Sequence, residues 1–132
     1  PYHGWNISGK VCEWDASKGL VEVASFTDVA TNDSQALLSA ITQQPVSVAI
    51  EADKPTFQQY TGGIITDAAG CGTELDHGVL AVGFGTENGI QYIKVKNSWG
   101  PEWGEDGYVR IAITDGTGMC GIQSQPSQPT TD

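Results

Sequence analysis

The stretch Lys96-Asn97-Ser98-Trp99-Gly100-Pro101-Glu102-Trp103-Gly104-Glu105-Asp106-Gly107-Tyr108 sets two of the chain's four tryptophans and three glycines around one polar amide, Asn97. Glycine lets a backbone approach a flat ring, so tryptophans spaced by glycines read as a tight connection packed on a core. The flanking segments alternate as strands do. In Ile90 to Asn97, residues Ile93, Val95 and Asn97 share one face, with Tyr92, Lys94 and Lys96 on the other. In Gly107 to Ile113, Val109, Ile111 and Ile113 oppose Tyr108, Arg110 and Ala112. This phase turns the Asn97 amide inward, where an unpartnered polar group costs about 1–3 kcal/mol. Such an amide either caps nearby backbone or holds another side chain.

Upstream, Thr31-Asn32-Asp33-Ser34 is rich in helix N-cap residues, and Ala36, Leu37, Ala40 and Ile41 follow at helical spacing until Pro45 stops the helix. Val46, Val48 and Ile50 then alternate through Glu51 as a half-buried strand, and Pro55 to Tyr60 forms a helical turn before Gly62-Gly63. Gly78 to Phe84 is an apolar run suited to a buried strand, followed by the hairpin signal Asn88-Gly89. Residues 1–31 offer no long periodic element, and the segment after Gln123 is polar, without an apolar anchor. These elements predict an α+β fold, with one main helix followed by antiparallel strands that form a small open barrel. Residues 1–125 are expected to form the domain, and residues 126–132 a polar tail that frays.

A chain of 132 residues can bury a real core. Its net charge of -10 argues against nucleic acid and against an anionic membrane surface, since both require basic patches. No apolar run is long enough to span a bilayer. Three cysteines leave one thiol free or paired elsewhere if the protein is secreted, and the Asn-x-Ser triplets at Asn6 and Asn32 permit that origin. No His/Cys pair has zinc-site spacing, so neither a metal nor another cofactor is expected.

His77 follows Asp76 and heads the apolar run. Read alone, it is either a solvent-facing histidine or a base; Trp99, likewise, is either core or a cover over an Asn97–His77 contact. Taken together, the segments are more specific. Leu75-Asp76-His77-Gly78-Val79, the Asn97-Ser98-Trp99-Gly100 to Tyr108 string, Met119-Cys120-Gly121-Ile122 and Gln44-Pro45-Val46-Ser47-Val48-Ala49-Ile50-Glu51 resemble, in order and spacing, the second domain of papain-like cysteine peptidases.

That resemblance implies that His77 is the general base, Asn97 its orienting partner and Trp99 the cover of their contact. It also implies a substrate pocket walled by Ala49 and Gly78 with Gln125 at its base, and a Cys71–Cys120 disulfide. Cys12 matches a cysteine whose partner lies in the first domain, so it stays unpaired here. The family's nucleophile lies roughly 130–150 residues before its His, whereas 76 residues precede His77. Neither Cys12 nor Cys71 heads a helix, where such a thiol is activated. The expectation is therefore half of a secreted or lysosomal/vacuolar endopeptidase. Its partner is a missing N-terminal domain that bears the cysteine, its substrates when complete are peptides, and the isolated chain is inactive and self-associates. The alternative is a non-catalytic secreted binding module on the same fold.

Overall fold

The computed structural model describes residue 12 and residues 15–131; His3 and the Asn6 triplet lie outside the described residues. The strands are β1 (Val23–Asp28), β2 (Val46–Ile50), β3 (Ile64–Ile65), β4 (His77–Glu87), β5 (Ile90–Lys96), β6 (Tyr108–Ala112) and β7 (Ser127–Thr131). The helices are α1 (Ser34–Gln43), α2 (Pro55–Gln58) and α3 (Ala68–Cys71).

Helix α1 begins where the cap residues predict. The Asp33 side chain accepts from Ala36 N at 2.9 Å, satisfying one of the free amides of the first turn. The helix ends at Gln44, whose N–H donates to Ala40 O, just before Pro45. Its buried stripe, Leu37, Ala40 and Ile41, lies against β2 and β4. There it meets Val46, Val48 and Ile50, then Val79 and Ala81, with Ile93, Val95, Val109 and Ile111 completing the core. Each such branched side chain contributes about 1.5–3 kcal/mol on burial.

The sheet has seven strands in the order β1-β7-β2-β4-β5-β6-β3. It is open, with β1 and β3 at its edges, and it is antiparallel except where β3 runs parallel to β6. The fold is thus the expected α+β arrangement of one main helix on an open sheet. Asn88 and Gly89 take the left-handed φ values of 52° and 80° that the β4–β5 hairpin needs. A register shift between Ala81 and Gly83 inserts Val82 as an extra residue in β4, whose pairing extends to Glu87.

One expectation fails and one element was unforeseen at the ends of the described chain. Residues 126–132 were expected to fray, yet Ser127–Thr131 is β7, paired along β1 and joined to β2 through Ser127↔Ser47. Backbone pairing requires no apolar side chain, and the fully buried Pro126 anchors the entry to the strand. Residues 23–28, which showed no periodic element, form β1; every residue of it is exposed, so no apolar alternation marked it.

Candidate active site

Two strand ends bring the site together. His77 is the first residue of β4 and pairs with Ile50, while Asn97 follows the last residue of β5 and donates its N–H to Gly107 O at 3.0 Å. The strand phase buries Asn97, leaving it 7% exposed. Its Oδ1 lies 2.9 Å from His77 Nε2 and also accepts from Ser98 N at 2.8 Å. The Ser98 N–H can only donate, so it fixes which end of the amide faces the ring. Because that end is an oxygen, Nε2 must carry the imidazole proton. The lone pair of the neutral ring is then left on Nδ1, ready to take a proton. Asn97 Nδ2 is buried without a hydrogen-bond partner among the described residues.

Aromatic rings fix the imidazole from the side. Trp99 stacks on His77 with centroids 5.0 Å apart and planes 29° from parallel, although Trp99 itself is 42% exposed. Fully buried Phe57, from α2, meets Trp99 edge-on at 5.5 Å and His77 at 6.4 Å. Trp103 packs on Phe57 at 5.0 Å and is tethered through Nε1 to Gln58 O at 3.1 Å. The connecting loop can fold this tightly because Gly104 sits at φ 63°, where an added Cβ would stand 2.6 Å from Tyr108 O and 3.0 Å from the Tyr60 ring. Beyond the loop, Glu105 and Arg110 form a paired hydrogen bond, with Arg110 also bound to Glu87 at 3.0 Å. The Arg110 hydrogen bonds hold the Glu105 carboxyl below its ordinary range against the opposing effect of burial.

The backbone ahead of His77 is clasped to the end of β2. Asp76 donates its N–H to Ile50 O at 3.0 Å and accepts from Ala52 N through its carboxylate at 2.8 Å. The Glu51 carboxylate, 3% exposed, accepts from Glu74 N and pairs with Lys54 at 3.0 Å. The Glu74 amide first, and then Lys54, holds the Glu51 carboxyl below its ordinary value. Gly72, at φ 69°, is required beside it, since a Cβ there would fall 2.2 Å from Glu51 Oε2. The Cys71–Cys120 disulfide closes the same region, with Cα atoms 4.9 Å apart, while Cys12 is free and exposed.

The structure thus joins His77, Asn97 and Trp99, and also Ala49 and Gly78, which are register partners across β2 and β4. Gln125 is exposed and lines a different depression, about 360 Å³, with Asp28, Val29 and Thr31. Gly78 and Asn97 share a depression of about 370 Å³ with Ser47, Lys96 and Ser98. Sequence reasoning missed the supports: Phe57 under the rings, the Ser98 amide, and the Asp76 and Glu51 clasp. Only the inward phase of Asn97 hinted that such partners were needed. Among the described residues no three His, Cys, Asp or Glu come together as a metal site.

The sequence model of the family described as "Papain family cysteine protease" matches residues 1–130. The chain belongs to the papain family of cysteine proteases. It is 47% identical to the germination-specific cysteine protease 1 of Arabidopsis thaliana over 98% of its own length and 34% of that protein. To the KDEL-tailed cysteine endopeptidase CEP2 of the same plant it is 49% identical, again over 98% of the chain but 35% of the relative. Among solved structures, bromelain from Ananas comosus matches with a TM-score of 0.78 at 38% identity, covering 83% of this chain and 51% of that one. The ragweed pollen cysteine protease Amb a 11, in its proform, gives a TM-score of 0.82 at 38% identity, covering 87% and 32% respectively. The chain therefore spans about a third of the length of the curated relatives it matches.

Proposed function

We propose that this chain is the His- and Asn-bearing half of a papain-like cysteine endopeptidase. The observation that carries the reading is the Asn97 Oδ1 contact to His77 Nε2, locked by the Ser98 amide. In the proposed reaction His77 Nδ1 takes the proton of a cysteine thiol and later gives it to the leaving amine. Asn97 Oδ1 holds the ring in register, and the resulting imidazolium is stabilised by the thiolate, so a neutral amide suffices. Ala49 and Gly78 wall the pocket for a substrate side chain. A binding module has no need of this tautomer-fixing geometry.

The nucleophile belongs to a first domain outside these residues: Cys71 is bonded to Cys120, and exposed Cys12 matches a family cysteine that pairs with the first domain. Residues 1–132 alone are then without peptidase activity, and the face normally covered by the first domain favours self-association. The route is secretory, ending outside the cell or in a vacuole or lysosome, and it is supported by the disulfide and by the KDEL-tailed relative. The test is to incubate the purified chain with a fluorogenic peptide and a thiol-directed covalent inhibitor, alone and with a separately produced first domain. The expected result is hydrolysis only in the combined sample. Hydrolysis by the chain alone, abolished by modifying Cys12, overturns the proposal.

A further inference from the structure

Asn32-Asp33-Ser34 is an Asn-x-Ser triplet in the turn that enters α1, and we propose that Asn32 is an N-glycosylation site; this rests on the secretory reading above. Asn32 is exposed and stands at φ 58°, a left-handed position that asparagine occupies more readily than most side chains. Its backbone is fixed, donating to Gln123 O at 2.8 Å, so the turn holds its place on the surface. Capping of α1 falls to the next residue, Asp33, through its 2.9 Å bond from Ala36 N. Among the described residues neither the Asn32 side-chain amide nor the Ser34 hydroxyl takes part in a hydrogen bond that the fold requires. The two groups that an Asn-x-Ser acceptor needs are thus left free of structural duty, and the middle residue is not proline.

The donor is a polyprenyl-diphosphate-linked oligosaccharide. A C–N bond forms between Asn32 Nδ2 and the anomeric carbon as the anomeric C–O bond to diphosphate breaks. The diphosphate leaves with the electron pair, and Nδ2 gives up one proton. The attached sugar stands beside Thr31, at the rim of the depression that Thr31 shares with Gln125. A bulky, solubilising group fits this exposed turn without disturbing the α1 stripe, which faces the core.

The test is glycopeptide mapping of the full-length protein secreted from eukaryotic cells, before and after treatment with a peptide N-glycosidase. The Asn32 peptide is expected to carry an oligosaccharide that the enzyme removes. Ser34→Ala and Asn32→Asp abolish the modification, whereas Ser34→Thr keeps it. Asn32→Asp tolerates the same left-handed φ, so its circular dichroism should match the parent and separate lost modification from lost folding. Unmodified Asn32 in a product whose Cys71–Cys120 bond has formed overturns the proposal while the secretory reading stands. A reduced Cys71–Cys120 pair in protein from the native source overturns both.

Discussion

The His77 imidazole and the Trp99 indole stack 5.0 Å apart, and the Asn97 amide meets the edge of the same imidazole at Nε2. One face and one nitrogen of His77 are thereby committed to the fold, which leaves Nδ1 as the nitrogen that acts in the proposed reaction. Stacking also keeps water from one side of the Nε2–Oδ1 bond, and lower local polarity strengthens a neutral hydrogen bond. Trp99 stays partly exposed even so, at 42%.

Replacing Asn97 should release the tautomer. In the parent chain, long-range nitrogen–proton correlation spectra are expected to show His77 protonated at Nε2 when neutral. Asn97→Ala should give a mixture of both tautomers, while Asn97→Asp, which keeps an acceptor oxygen, should preserve the Nε2–H form. If the proposed two-domain enzyme is assembled, losing one such bond of about 0.5–1.5 kcal/mol predicts a fall of up to about tenfold in kcat from orientation alone. A parent chain dominated by Nδ1–H would contradict the geometry.

Phe57 is where the site and the core meet. It is fully buried and touches His77, Trp99 and Trp103. Phe57→Ala should cost about 3–5 kcal/mol of stability, since the rings above cannot all collapse into the cavity. Phe57→Leu should cost less and keep the fold, yet shift the His77 ring-proton resonances by removing an aromatic neighbour. Chemical denaturation and proton spectra of the two variants measure both effects. Unchanged His77 resonances in Phe57→Leu would separate the core from the site.

Much of this architecture was legible in the chain because burial and alternation coincide. Val46, Val48 and Ile50 in β2, and Ile93, Val95 and Asn97 at β5, are buried on one face as their spacing indicates. Where a strand pairs without burying side chains, as β1 does, periodicity carries no signal. The same limit applies within the site. His77, Asn97 and Trp99 stood out by motif and phase, but the bonds from Asp76 to Ala52 and from Glu51 to Glu74 link backbone to side chain across the fold, and no local pattern encodes them. Gln125 shows the converse, since family spacing alone placed it at a pocket base whereas it lines a separate depression.

Acid should weaken the fold through Glu105 and Glu51. Both carboxyls are held below their ordinary values, Glu105 chiefly by the Arg110 hydrogen bonds and Glu51 chiefly by the Glu74 amide. A depressed folded-state pKa contributes stability that is complete above the unfolded value of about 4.3. That stability is lost as pH falls below this value through the folded pKa. Glu105→Gln should therefore destabilise the chain more at about pH 7 than at about pH 3. Urea denaturation at the two pH values tests the sign; a penalty that grows in acid would refute it.

The Cys71–Cys120 bond spans a sequence separation of 49 and encloses Glu74 and Asp76, which clasp the end of β2, together with β4, β5 and β6. In the chain-entropy description a loop of that length contributes about 4 kcal/mol. Both sulfur-bearing residues are buried, so mild reductant should leave the native bond intact and reduce it only once the fold opens. Cys12, which is exposed, should react with a thiol reagent at once. The paired substitution Cys71→Ala with Cys120→Ala should lower the urea midpoint and broaden the His77 signals, because the loop leading to His77 loses its anchor while the Asp76–Ala52 bond remains. Mass mapping under native and denaturing labelling separates the thiols. Rapid labelling of Cys71 and Cys120 in the folded chain under mild reduction would show that the bond is not the buried staple described here.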